Sequence, residues 1–194
     1  SIFEIGTLGD RLAKDSRMVG VTAEQFQVME FAAERSGTGI SAVTNGLKRL
    51  SRAMVDSQSG STQLVKTFEA LDINLKKSDG TLRDVFDVFL DLADRLEAMG
   101  ESAERGGTMM QLLGRSGTVM ANMMSQGSAG ILELRRELEE LGAIMGTETL
   151  NAGEEFVDRM ADLKFAFRGL KIELGTTLLP DFTAFVAQLT SWIA

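Results

Sequence analysis

Hydrophobic residues recur at helical spacing along most of this chain. Ile40, Val43, Leu47, Leu50 and Met54 step by three or four residues, which places them on one face of a helix. Almost no stretch alternates between β-branched and polar residues in the way a strand does. The pattern predicts an all-α fold, a compact multi-helix bundle of about 7–9 helices with a long C-terminal helical extension.

Glycines and capping residues divide this pattern into separate helices. The chain has 20 glycines and one proline, and the glycines fall at intervals that suit globular helices with short connections. Thr22 and Gln25 have the spacing of a capping box, and Val21 and Phe26 occupy the two positions of a hydrophobic staple. Further helix starts are predicted near Ser41, Asp84, Ser128 and Thr147.

Residues 72–83 interrupt the helical pattern. Leu71–Leu75 alternates between apolar and polar residues, and Ser78–Gly80 has the composition of a turn. We expect a tight, partly extended excursion here, with a tiny hairpin as one form of it. A two-stranded hairpin is marginal alone, so it would have to pack on the helices.

The helix pattern also suggests two regions. Residues 1–146 are predicted to form a compact helical module, and residues 147–194 a long helix that leads to an adjoining rod or membrane segment. We expect a break at Pro180, because proline suits the first turn of a new helix. Heptad spacing persists for about two heptads at a time, short of the three to four that indicate a coiled coil. The predicted helix after Pro180 carries one uncharged apolar stripe: Phe182, Phe185, Val186, Leu189, Trp192 and Ile193.

Composition excludes several kinds of chemistry. The chain contains no His and no Cys, which rules out an imidazole base, a thiol nucleophile and most zinc or iron–sulfur sites. Its 20 basic and 28 acidic residues give a formal charge of −8. That balance argues against a specific nucleic-acid binder, which needs a basic face.

Two short motifs resemble binding loops but depart from the required spacing. Gly107–Ser116 ends in Gly-Arg-Ser, yet six residues separate its glycines and Arg115 stands in place of the lysine of a phosphate loop. Asp72–Gly80 begins like a calcium loop, but Lys76 and Lys77 occupy positions that need an oxygen ligand and a glycine. We therefore predict no catalytic, cofactor-binding or metal-binding residue, and no cofactor.

Seven acidic side chains follow helical spacing between residues 84 and 104. They could form a solvated face, a metal site or acid–base pair, or a surface that repels a polyanion such as DNA. Arg95 is the only basic residue between residues 84 and 104. This acidic ridge consists of Asp84, Asp87, Asp91, Asp94, Glu97, Glu101 and Glu104.

Methionines are concentrated just after the ridge. Five of the 11 fall within sixteen residues. Methionine fills irregular gaps in cores, and it also suits surfaces that repack against several partners. Both readings stay open for Met109, Met110, Met120, Met123 and Met124.

An ordered set of segments resembles one known family. Val21–Phe26 and Phe31–Gly37 read V-T-A-E-Q-F and F-A-A-E-R-S-G, and together with the later segments they are similar to the helical region of phage tail tape-measure proteins. The resemblance covers roughly residues 20 to 190; it departs at Asp72, where the family pattern has Gly. The later segments are Leu47–Leu50, Phe68–Ile73, Asp79–Asp84, Leu90–Arg95, Leu112–Gly117, Gly127–Ile131 and Leu178–Pro180.

The resemblance implies a non-enzymatic structural protein of the virion, also found in prophages, whose span sets tail length and which takes part in tail assembly and genome ejection. It implies a homo-oligomer, typically a trimer, in the lumen of the tail tube or at the tail tip. Tail-tube and tail-tip proteins and assembly chaperones are the implied partners. The protein would be made in the host cytoplasm, and its C-terminal region would contact the host membrane or envelope after ejection.

Two other functions remain as alternatives. One is a helical adaptor or chaperone-like binding module with a Met-rich surface. The other is an enzyme, such as a cell-wall hydrolase, that uses two carboxylates of the acidic ridge. The second is disfavoured because a general acid needs a buried carboxyl group, and the ridge is expected to be exposed.

Overall fold

A computed structural model describes the backbone from Ile2 to Ile193 and the side chains of residues 4–170, 172 and 173. This part of the chain contains nine α-helices and no β-strand, which confirms the predicted all-α, multi-helix fold. The helices are α1 (Ile2–Val19), α2 (Ala23–Arg35), α3 (Ile40–Gln58), α4 (Thr62–Ala70), α5 (Val85–Ala98), α6 (Ala103–Leu113), α7 (Arg115–Met120), α8 (Gly127–Glu140) and α9 (Thr147–Ile193).

The predicted capping box begins α2. The Gln25 backbone N–H donates to Thr22 Oγ1 over 3.1 Å, and the Thr22 N–H donates to Gln25 Oε1 over 2.8 Å. Two otherwise unpaired donors of the first turn are thereby satisfied. The helix ends at the Ser36 cap, and Gly37 follows with a φ of 69°, a left-handed conformation that glycine adopts without strain.

Helix α3 lies at the centre of the bundle and packs against α1, α2, α4, α5, α6 and α7. Its face of Val43, Leu47 and Leu50 is fully buried, as its three- and four-residue spacing predicts. The largest side chains of the core come from six helices. They are Phe26, Phe89, Leu12, Met29, Leu47, Leu50, Met54, Leu92, Leu96, Leu112, Leu113 and Met120.

Two glycines allow close packing around α7. A Cβ atom on Gly117 would lie 2.6 Å from the backbone carbonyl oxygen of Met109 in α6. A Cβ atom on Gly46 of α3 would lie 2.5 Å from Met120 Sδ. The first neighbour is backbone and cannot turn aside, whereas the second is the end of a flexible side chain.

The excursion predicted over residues 72–83 is reduced to a single antiparallel bridge between Lys76 and Leu82. Ile73 and Leu75 are buried in the core, so the segment does pack on the helices as expected. Asp72 has a φ of 51°, and its carboxylate accepts a 2.8 Å hydrogen bond from Arg95.

The start of α9 is packed into the bundle against α1. A Cβ atom on Gly153 would lie 3.1 Å from the carbonyl oxygen of Gly6, and one on Gly9 would lie 3.5 Å from the Cα atom of Gly153. Leu150 is buried at this contact. The boundary predicted at residue 147 therefore falls inside the packed region, because the first turns of α9 share an apolar contact with α1.

Polar contacts also join the first turns of α9 to the bundle. Arg17 donates to both carboxylate oxygens of Glu154 over 3.1 and 2.7 Å, and Thr147 donates to Glu24 over 2.8 Å. Just before the helix, the buried Gln27 bonds both the N–H and the carbonyl of Met145. From residue 158 to residue 170, every side chain of α9 is exposed.

The predicted break at Pro180 is not present, since α9 is a single helix from Thr147 to Ile193. A proline inside a helix costs about 3 kcal/mol, but it removes only one donor, and the remaining hydrogen bonds of a 47-residue helix persist. The apolar stripe predicted from Phe182 to Ile193 lies outside the described side chains. In the described part of the chain, no helix has the length and apolar character needed to span a membrane.

We expect Gly117→Ala to destabilise the bundle by about 1–3 kcal/mol, because the new methyl group would overlap the Met109 carbonyl. Gly107→Ala is the matched control within α6, where a Cβ atom meets no neighbour within 4 Å. It should stabilise by about 0.5–1 kcal/mol through helix propensity. Urea denaturation measures both variants; equal effects would contradict the close α6–α7 contact.

The contact between the first turns of α9 and the bundle should also become less stable in acid. The Thr147 hydroxyl lowers the pKa of Glu24 and the Arg17 guanidinium lowers that of Glu154, both from an ordinary value of 4.5. A lowered carboxylate pKa contributes stability above the ordinary value, and this contribution is lost as the pH falls through the folded-state pKa. Wild type should therefore exceed the variant Glu24→Gln/Glu154→Gln in stability at pH 7, and this difference should vanish toward pH 3.

Denaturation midpoints of the two proteins at a series of pH values measure that difference. Glu104→Gln, which changes an exposed carboxylate away from α9, serves as the control. A difference between wild type and the double variant that stays constant with pH would show that these carboxylates do not hold α9.

Candidate functional surfaces

The acidic ridge is partly neutralised by cations that the sequence reading did not assign to it. Lys77 Nζ lies 3.2 Å from Asp84 Oδ2, and Arg83 lies 2.6 Å from Asp91 Oδ2. Both cations come from the loop that precedes α5. Arg95, the one basic residue within the stretch, pairs with Asp72 outside the ridge.

Asp94 has a structural role at the start of α8. Its Oδ1 atom accepts a 2.6 Å hydrogen bond from the backbone N–H of Ser128. The Glu97 carboxylate lies at the same helix end, since a Cβ atom on Gly127 would meet both carboxylates. Negative charge at a helix N-terminus is favourable. The cap of α8 therefore comes from α5 rather than from Ser128, which lies inside the helix.

The ridge does not assemble a metal site in the described part of the chain. No group of three or more acidic residues there is close enough to hold a metal ion. Asp91, which an acid–base mechanism would use, is partly exposed and paired with Arg83. A carboxyl group that acts as a general acid is instead kept protonated by burial.

The two loop motifs are used for turns. Asp79 Oδ1 accepts hydrogen bonds from the N–H and the hydroxyl of Thr81 over 2.9 and 2.6 Å, and the hydroxyl bond lowers the pKa of Asp79. Asn74 Oδ1 accepts from the Lys76 N–H. Gly114 joins α6 to α7 with a φ of 67°. These contacts give both motifs a structural role in turns of the backbone.

The methionine cluster belongs to the core. Met109, Met120, Met123 and Met124 are buried, and Met110 alone of the five is exposed. The reading as a repacking surface for partners therefore lacks the surface it needs, and the bundle uses these side chains to fill gaps between α3, α6 and α7.

An open cleft of about 300 Å³ lies between α2 and α8. Arg35 of α2 and Glu137 of α8 form an ion pair beside it. Asn122 and Gln126 also line the cleft. The ion pair bridges the two helices beside the cleft.

Among the described side chains, exposed apolar residues form a stripe on the projecting part of α9. Met160, Leu163, Phe167 and Leu170 recur at steps of three and four residues, and each is more than one-third exposed. We call these four residues the shaft stripe. The sequence analysis did not predict this stripe, although its three- and four-residue spacing is typical of one helix face. Large exposed apolar surfaces mark interaction sites.

In comparisons with protein-family models, curated proteins and solved structures, none matched this chain.

Proposed function

We propose that this chain is a folded module of a phage tail tape-measure protein, acting in tail-length determination, tail assembly and genome ejection. The observation that carries the proposal is a bundle from which a single long helix projects. Residues 158–193 of α9 comprise 36 residues and extend about 54 Å at 1.5 Å per residue. The ordered segments between residues 20 and 190 that resemble this family support the same assignment.

The bundle and the projecting helix would have different tasks. The helix contributes to a span that the tail tube is built around, while the bundle forms a folded domain near one end of that span. A chain of this length in one helix would extend about 290 Å. Because the described residues fold back into nine helices, the module is much shorter than that. This division of tasks suits a module at the tail tip, in contact with tail-tube and tail-tip proteins and with assembly chaperones.

The chemistry of the chain is consistent with a structural role. It has no His or Cys, and three of the seven ridge carboxylates, Asp84, Asp91 and Asp94, are used in ion pairs and a helix cap. In the proposed setting, the remaining ridge charge faces the path of the DNA and keeps a polyanion from adhering.

A length measurement tests the ruler role. Duplicating residues 157–170 twice within α9 adds 28 residues and should lengthen assembled tails by about 42 Å. The control places the same 28 residues at Gly142, in the exposed turn between α8 and α9. Electron microscopy of particles made with each variant measures tail length. Equal tail lengths in both variants and wild type would contradict the proposal.

The ridge makes a separate prediction. Asp87→Lys/Glu101→Lys/Glu104→Lys should slow genome release while tails keep their normal length, because the surface would then attract DNA. Asp91 and Asp94 are left unchanged, since they hold Arg83 and the α8 N-terminus.

The control for the ridge is a triple reversal at exposed acids on other helices, Asp56→Lys/Glu140→Lys/Glu148→Lys. It changes net charge by the same amount and should leave ejection kinetics unchanged. If both triple variants eject DNA at the wild-type rate, the ridge does not face the DNA.

A further inference from the structure

The shaft stripe is a narrow apolar seam that no other part of the described chain covers. Gly6 of α1 packs against the ring of Phe156, but from residue 158 to residue 170 every side chain of α9 is exposed. The four stripe residues, Met160, Leu163, Phe167 and Leu170, are 39%, 48%, 61% and 49% exposed. Their steps of three, four and three residues are those of the a and d positions of a coiled coil. The stripe therefore has the form of a surface that receives one further helix.

An open groove of about 530 Å³ lies along this seam. Its walls are apolar side chains of the stripe together with Val157 and Ala161, and Lys164 is the one charged residue that lines it. When two helices pair along a seam, each apolar side chain of one inserts into a hole between four residues of the other. The groove can receive such side chains, with a cation at its edge.

The two charged residues that flank the seam in this stretch are both cations. Arg159 and Lys164 occupy a g and an e position of the heptad, and Ala166, the remaining flanking residue between 158 and 170, is uncharged. Lys164 makes no ion pair among the described residues. Arg159 lies 3.6 Å from Glu155, but these side chains are 75% and 72% exposed, and such a pair contributes little. Because e and g charges select the partner of a seam, the two cations favour acidic residues on the opposing helix.

The same two cations disfavour a second copy of this chain as the occupant. In a parallel pair in register, Arg159 would lie beside Lys164 of the second copy. In an antiparallel pair centred on the stripe, the two Lys164 side chains would face each other. Like charges at neighbouring positions are destabilising. Any oligomer of this chain is therefore expected to form through another surface.

A membrane surface is also a poorer match to this part of α9. A helix that lies in the membrane interface has one broad apolar face and carries Lys and Arg on its polar face. Here the side of the helix away from the stripe carries Asp158 and Asp162. Phe165 also lies off the stripe, with its ring 5.7 Å from the Arg168 guanidinium, so the apolar residues do not form one broad face.

We propose that the shaft stripe docks an amphipathic helix of a partner protein, whose own apolar seam is flanked by Asp or Glu. The apolar side chains of the partner enter the groove of α9, and its carboxylates pair with Arg159 and Lys164. The partner helix lies along α9 beyond the part that α1 covers. Such a site would exist whether or not the chain belongs to a phage tail.

Two designed peptides test the charge preference on the full chain. Each has three heptads with Leu at a and d, and one carries Glu and the other Lys at every e and g position, so that like charges limit self-association. Fluorescence anisotropy should give a Kd of about 1–100 μM for the Glu peptide and binding at least about threefold weaker for the Lys peptide. Added salt should reduce this difference. Equal binding of the two peptides, or tighter binding of the Lys peptide, would contradict the proposal.

An apolar variant shows whether the Glu peptide occupies the stripe. Leu163→Asp/Phe167→Asp should weaken its binding at least about tenfold, because carboxylates would then have to be buried in the seam. Phe165→Asp is the matched control, since Phe165 is 66% exposed but lies off the stripe, and it should leave binding unchanged. These side chains are exposed, so circular dichroism should show unchanged folding. Equal loss in both variants would place the peptide elsewhere and overturn the assignment.

A charge reversal shows whether the flanking cations select the partner. Arg159→Glu/Lys164→Glu should reverse the preference, so that the Lys peptide binds more tightly than the Glu peptide. The control is Lys48→Glu/Arg52→Glu, which changes the net charge equally at exposed positions of α3. This control should still prefer the Glu peptide. The same response of both variants would show that net charge, rather than the flank of the seam, sets the preference.

Photo-crosslinking identifies the natural occupant of the stripe. The full chain carries p-benzoylphenylalanine in place of Phe167 and is irradiated in the cells that make it, and mass spectrometry maps the crosslinked segment. We expect a segment of another protein that has apolar residues at three- and four-residue steps with Asp or Glu beside them. The same photoreactive residue in place of Phe165 should not give this product. A lipid adduct, a crosslink to a second copy of this chain, a segment without acidic flanks, or no adduct would each overturn the proposal.

Discussion

The architecture depends on the close crossing of α1 and α9 at three glycines. Gly6, Gly9 and Gly153 bring the two backbones together so closely that a methyl group on Gly153 would lie 3.1 Å from a carbonyl oxygen. This contact, with the Arg17–Glu154 ion pair, fixes where α9 leaves the bundle and in which direction. It also determines which face of α9 is covered and which continues uncovered. The division into a folded bundle and a projecting helix is therefore a consequence of one helix–helix contact.

Local sequence features predicted the helices and their buried faces well. The Thr22–Gln25 capping box and the apolar face of α3 depend on residues three or four positions apart, so their signals lie within one helix. Features that join distant segments could not be found in this way. The cap of α8 by Asp94 links residues 34 positions apart, and the pairing of Arg83 with Asp91 needs the loop to turn back on α5.

The acidic ridge shows how tertiary contacts change the meaning of a charge pattern. Read along the sequence, the carboxylates form one continuous acidic face. In the bundle, Asp84 and Asp91 are paired and Asp94 caps another helix. What remains for an external role is a smaller surface around Asp87, Glu101 and Glu104. The structure also decides between the two interpretations of the methionine cluster, since four of its five residues are buried in the core.

Small-angle X-ray scattering of the purified chain tests the central claim most directly, which is that a compact bundle holds one end of a projecting helix. We expect a maximum dimension of about 95 Å, from a bundle near 40 Å across and a projecting helix of about 54 Å. A rod-like profile with a maximum dimension well above 200 Å would contradict it, since such a length requires the helices to be unfolded from the bundle into an extended chain.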